Sequence, residues 1–230
     1  ALYNGKAKFF TTYAKPISPF PDVRISHIAI DRTHTTASDM ASYFPLSALF
    51  RLYKAQYIGS ISPNFYGLPT NRSHRVTIEQ DCPRLVSLCK EDRVDAVVLV
   101  PNCPICHQST ALAASQLETA GIPSVLMGSA LDIVEHVGVP RLLFNDFPLG
   151  NAAGLPQNIV SQDLIAKMAV DLLWYAIEPR TTVKSPLTWS GESDWKKDYS
   201  NIDQLSASEV KRLRVEFDKV KKDAKVIKAL

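Results

Sequence analysis

Between residues 75 and 179 short β-branched runs alternate with longer stretches of helical periodicity, and this repetition constrains the fold more than any other feature. Strands joined by helical crossovers build a parallel sheet covered on both faces. The run 94–100, apolar except for Asp95, has the character of a strand buried on both sides, and 122–127 and 141–144 repeat it. Helices are predicted over 77–92, with Asp81 as N-cap and Pro83 in the first turn, and over 107–120, stopped by Gly121. Further helices are predicted over 130–137, ended by Gly138, and over 159–177. The expected fold is an α/β domain with a parallel sheet in three layers, Rossmann-like or flavodoxin-like, over residues 1–179.

The flanks are less regular. Residues 25–30 and 57–61 read as strands and 45–53 as a helix. Residues 1–5 read as the exit from a strand, which leads to the expectation of a further strand before Ala1. Residues 180–205 are polar, carry Trp189 and Trp195, and are expected to wrap over the domain surface. Beyond them Val210, Leu213, Phe217, Val220, Ala224 and Ile227 recur every three or four residues, the seam of an amphipathic helix. Residues 180–230 are thus a wrapping segment with a C-terminal helical extension, which packs on its own domain or on a sister subunit. A homo-oligomer or a place in a larger complex is the expectation.

Composition narrows the class. With 46% hydrophobic and 21% charged residues and a net charge of +3, nothing points to nucleic acid. No apolar run approaches the ~20 residues of a membrane span. Four cysteines lie between positions 82 and 106, and no charged-then-apolar leader precedes them, a pattern that suits a reducing, cytoplasmic setting.

The chemistry-bearing motif is Cys103-Pro-Ile-Cys106, set between a buried strand and a helix start. The carboxyl ends of parallel strands are where α/β sheets build sites. The unpaired N–H groups and dipole of a helix start favour thiolate over thiol. Cys103, first in the turn and expected to be the more exposed, reads as nucleophile, Cys106 as its resolving partner, and His107 as a proton shuttle. Two blander readings compete: buried cysteines acting as small hydrophobes, and half of a zinc site completed by His27, His34 or His74. Of these the redox pair is favoured and no metal is expected. Cys82 and Cys89, seven apart on one helix, read as core.

Two further groups are candidates for substrate binding. Asp146 stands at a strand end, and Gly150, Asn151 and Gly154 make a loop whose amides can face an anion. His27 and Asp31 lie together at the end of another apolar run, where a structural histidine fits as well. The loop matches neither phosphate-binding glycine pattern, so no nucleotide or other bound cofactor is expected. The electrons would come from an external thiol or dithiol or a thioredoxin-like protein.

The stretch from 94 through Asn102-Cys-Pro-Ile-Cys-His107 to Glu118-Thr-Ala-Gly-Ile-Pro123 resembles the selenoprotein B family of glycine, sarcosine, betaine and D-proline reductases. The resemblance extends upstream through His27, Asp31, Phe44-Pro45-Leu46, Ile58-Gly59-Ser60 and Phe65-Tyr66-Gly67, and downstream to Gly138-Val-Pro140 and Pro148-Leu-Gly-Asn151. It covers roughly residues 5–160 and in outline is nearest the small D-proline reductase subunit. It implies reductive cleavage of a carbon–heteroatom bond, with Cys103 at the selenocysteine position and Cys106 at the resolving position. The family's reductases also use a pyruvoyl subunit, and this chain shows no such processing site. Sulfur in place of selenium favours a softer bond, such as carbon–sulfur, in a small carboxylate-bearing substrate. General thiol–disulfide exchange and a non-catalytic subunit are the alternatives. Two thiols three residues apart cannot flank one carbon as a racemase requires.

Overall fold

In the computed structural model the described residues are 11–25, 29–189, 195–198, 206–212, 214–215 and 218. His27 and the seam residues Leu213, Phe217, Val220, Ala224 and Ile227 lie outside them, as do residues 1–5.

Four parallel strands, β3 (Val97–Leu99), β4 (Ser124–Gly128), β5 (Arg141–Phe144) and β6 (Thr181–Lys184), lie side by side in chain order. The central β4 is buried along its whole length, and alternate residues feed two cores. Val97, Leu99, Leu126, Leu142 and Phe144 pack with residues of α3 (Cys82–Glu91), α4 (Pro104–Thr119) and α5 (Leu131–Val137). Val125, Met127 and Leu143 pack on the other face with α1 (Leu46–Lys54) and α6 (Ile159–Tyr175). This is the three-layer α/β arrangement expected from the sequence. The helices α4 and α5 end before Gly121 and Gly138, both at positive φ, as their composition predicts.

Several local expectations are corrected. The helix predicted over 77–92 starts earlier, at α2 (His74–Val76), with Ser73 as its cap, and runs through a π turn (Thr77–Asp81) into α3. Asp81 makes no side-chain cap bond. Pro83 has no N–H to return to Glu79, and just before it the Cys82 N–H reaches back five residues to Thr77, so the wide turn absorbs the missing bond. Residues 57–61 are irregular, as are the described ends of 25–30. An antiparallel pair forms instead between β1 (Tyr13–Pro16) and β2 (Asn64–Gly67). Within 180–205, read as irregular, Thr181–Lys184 is the edge strand β6, in register with β5. Its mixed polarity is that of an edge, buried on alternate residues only in part, which is why it lacks the apolar signature of β4. The Trp189 ring centre stands 5.8 Å from that of Phe147.

The 147–156 loop is folded on itself. Gly154 has φ +141°, and a Cβ there would stand 2.9 Å from the Gln162 Cα and 2.7 Å from its Cγ. Gly154→Ala is expected to cost about 1–3 kcal/mol through backbone strain and overpacking. Urea denaturation checks this: the midpoint falls while the slope stays unchanged.

Candidate active site

The turn after β3 places Cys103 as N-cap of α4, in extended backbone (φ −138°, ψ 166°), and Pro104 occupies the first helical turn, where its missing N–H costs nothing. The helix therefore begins three residues earlier than its apolar pattern suggests, because the cysteine itself is the cap. Cys103 Sγ accepts the N–H of Cys106 at 3.1 Å. The two sulfurs are joined as a disulfide. Thr70 Oγ1 lies 3.6 Å from Cys106 Sγ.

Accessibility is the reverse of the sequence expectation. Cys103 has 0% exposure, whereas Cys106 is partly exposed. The cap explains it: a side chain that turns back over the first helical turn is covered by that turn, whereas Cys106 looks outward from it. Cys82 and Cys89 are buried free thiols, as expected of core residues. Burial pushes the Cys82 thiol up to about 12 and that of Cys89 to about 11.

His107 is fully buried and both its nitrogens are occupied. Nδ1 lies 2.8 Å from the carbonyl oxygen of Cys103, so it carries the proton and donates. Nε2 accepts the N–H of Ser129 at 2.9 Å and of Ala130 at 3.2 Å. The ring fits there because the residue at the end of β4 is glycine: a Cβ on Gly128 would be 3.2 Å from His107 Cδ2. Burial lowers the imidazole to about 4, against the partial support of the Cys103 carbonyl. No lone pair remains for a thiol proton.

An open groove of about 580 Å³ runs beside Pro104 and Ile105, walled by Gln108, Asp132, His136 and His74. Gln108 Nε2 is shielded from solvent and has no partner among the described residues. Thr70 and Gln108 carried no signal in the sequence, since each touches the turn only through folding.

The remaining sequence candidates form a separate cluster. Asp31 accepts from the backbone N–H of Thr33 and of His34 and pairs with His34 Nδ1 at 2.9 Å, while its own N–H donates to Leu149. Asn151 Oδ1 accepts from Thr35 and Ser42, and its amide donates to the Pro148 carbonyl. A Cβ on Gly150 would stand 3.5 Å from the Ile30 Cβ. The N–H groups of Ala153 and Gly154 donate to Ser42 and Asn151, so these two amides face the protein and no anion. Asp146 pairs with Lys184 and with Lys196 of α7 (Trp195–Asp198). No hydrogen bond or ion pair among the described residues joins this cluster to Cys103 or Cys106.

Comparison with curated proteins finds 28% identity over 145 residues to the D-proline reductase subunit gamma of Acetoanaerobium sticklandii. The match takes in 63% of this chain, which spans about 60% of the length of that relative. No family model and no solved structure matches. The chain is thus distantly related to a reductase subunit. None of its described helices is long and apolar enough to cross a membrane.

Two outcomes follow from the site. In the unfolded chain the His107 imidazole takes up its proton near 6.5, in the folded chain only near about 4. The unfolded state therefore binds the extra proton in that window, and about 3 kcal/mol of stability is lost as pH falls through it. Denaturation at stepped pH should show the loss, and His107→Gln should flatten it. After mild reduction, alkylation read by mass spectrometry should label the partly exposed Cys106 first and leave Cys82 and Cys89 untouched until the fold is melted.

Proposed function

We propose that this chain is the redox-active subunit of a reductase, in which Cys103 and Cys106 pass between dithiol and disulfide as a carbon–sulfur or carbon–nitrogen bond of a small organic substrate is cleaved. The single observation that carries this reading is the Cys103–Cys106 disulfide at the N-terminus of α4, at the carboxyl end of a parallel strand. The distant relationship to a D-proline reductase subunit supports it.

The reaction balances without a bound cofactor. The carbon–heteroatom bond breaks, carbon takes one thiol hydrogen, the heteroatom leaves with the other, and the two sulfurs give up two electrons and join. An external thiol or dithiol, or a thioredoxin-like protein, then restores the pair. The two sulfurs divide the work by environment. Cys106 is the sulfur an incoming thiolate can reach, and its attack expels Cys103. The expelled thiolate is held by the Cys106 N–H and the positive end of α4, which makes it the better leaving group and the nucleophile of the next cycle. Cys103 earns the nucleophile's place by its cap and not by exposure. His107 is a positioning residue: it fixes the carbonyl of Cys103 against the turn after β4 and moves no proton. A substrate carboxylate would find its donors in the groove at His136 and His74 and not in the 150–154 loop. Asp31 and Asn151 hold that loop to the residues around Thr35.

General disulfide exchange is the second reading, favoured by the accessibility of Cys106. The two separate when the complex purified through this chain is reduced and given D-proline or 2-(methylthio)acetate. One disulfide should form for each molecule of ring-opened amine or of thiol released, and Cys103→Ser or Cys106→Ser should lower turnover by about 10³-fold or more. Full turnover in Cys103→Ser defeats the proposal. Reduction of glutathione disulfide, with neither small molecule consumed, favours exchange.

A further inference from the structure

The outer face of α6 is a surface that the cysteine chemistry does not use. Its inward residues Ile165, Ala166, Ala169 and Leu172 bury the helix in the core on one side of the sheet. On the opposite side Val160, Leu164, Lys167, Asp171 and Trp174 follow one another at steps of four and three residues, with Tyr175 beside the last, so they lie along one stripe. The outward stripe of a surface helix is ordinarily polar. This one leaves Val160 79% exposed, Trp174 76% and Tyr175 75%, and Ile177, just past the helix end, is 93% exposed. Leu164 is exposed as well. With ~150–250 Å² for a whole aromatic side chain and somewhat less for an aliphatic one, these five leave roughly 700 Å² open. The largest apolar patch of a typical monomer is ~300–600 Å², and each partner of a standard interface contributes ~800 Å².

The middle of the stripe is charged and ordered. Lys167 Nζ donates to Asp171 at 2.8 Å and to the Tyr57 hydroxyl at 2.9 Å, and stands 4.5 Å from the centre of the Tyr57 ring. The same hydroxyl donates to Asp171. From its start to its end the stripe is thus apolar, positive, negative and apolar again, and this order selects what can cover it. A copy of the same stripe laid alongside in parallel would set lysine on lysine and aspartate on aspartate. Turned end for end, it sets Lys167 of each copy against Asp171 of the other. The same register sets Leu164 of each against Trp174 of the other, since Leu164 stands three residues before Lys167 and Trp174 three after Asp171. Val160 then runs toward Ile177. Steps of four and three are also those at which two helices mesh along their length, at a crossing angle of ~20°.

We propose that two copies of this chain pair through the outer face of α6, antiparallel about a two-fold axis that passes between Lys167 and Asp171. The two-fold makes every unlike contact twice and closes the assembly. Burial of the apolar ends drives the association, and the four alternating charges at its centre fix the register. α4 packs on the other face of the sheet, so both cysteine turns stay open in the pair. The pairing stands apart from the reductase reading, and neither requires the other.

The test follows the mass of the full chain by sedimentation velocity at graded micromolar concentrations. The unaltered chain should run at about twice its 25.5 kDa. Trp174→Glu, a change at an exposed position, should halve that mass and leave the circular dichroism unchanged. Lys167→Glu makes the centre of the stripe wholly acidic and Asp171→Lys makes it wholly basic, so each alone should weaken the pair by about tenfold or more. An equimolar mixture of these two variants should restore it, because unlike charges meet again across the axis. A change that only disturbed the fold of each chain would not be undone by mixing. An unaltered chain that stays at 25.5 kDa, a mixture that stays dissociated, or a mass that Trp174→Glu leaves unchanged overturns the proposal. A mass halved by Phe217→Glu and untouched by Trp174→Glu overturns it in favour of the C-terminal seam.

Discussion

One imidazole holds the turn between the two cysteines in place. His107 donates to the carbonyl of Cys103 and accepts the N–H groups of Ser129 and Ala130, so the start of α4 and the turn after β4 are fixed to each other through a single buried ring. The bond to Cys103 is made four residues along the helix from the cap, where a helical side chain lies over the preceding turn. Everything else at the site inherits its position from this arrangement: the sulfur over the first turn of α4, the glycine at position 128 that makes room for the ring, and the neutral state that burial imposes on it.

The cap in turn sorts the two sulfurs. A thiolate at an N-cap gains from the N–H it faces and from the helix dipole, and pays for burial with access. Cys106 stands in the opposite condition, partly exposed beside Thr70. The other two cysteines show the contrast, since burial in the core without a helix start raises their thiols far above neutrality.

The layered fold was legible because its signals are local. Apolar runs long enough to cross a sheet, and glycines at helix ends, marked β4, β5, α5 and α6 within a residue or two. What escaped was set by partners distant in the chain. The edge strand β6 has the mixed polarity of a surface segment and becomes a strand only by joining β5, and β1 and β2 become strands only by joining each other. The π turn before Pro83 depends on which carbonyl the proline leaves unanswered. At the site, the motif and its helix were readable, but the exposure of Cys103 was not, because a residue placed first in a turn is accessible only if its side chain does not become the cap. His107, next to two cysteines in the sequence, has both ring nitrogens on backbone partners in the fold, and the Asn151 side chain bonds to Thr35, Ser42 and Pro148.

The proposed function requires the Cys103–Cys106 pair to be a reversible two-electron couple. Equilibration of the folded chain in graded dithiothreitol buffers, with intact mass and peptide mapping at each step, measures this directly. A reversible couple gives a single transition with a two-electron slope, a gain of two hydrogens confined to the peptide containing both cysteines, and retention of the fold throughout. A mass that does not change over the whole range, or a transition that draws in Cys82 or Cys89, would contradict it.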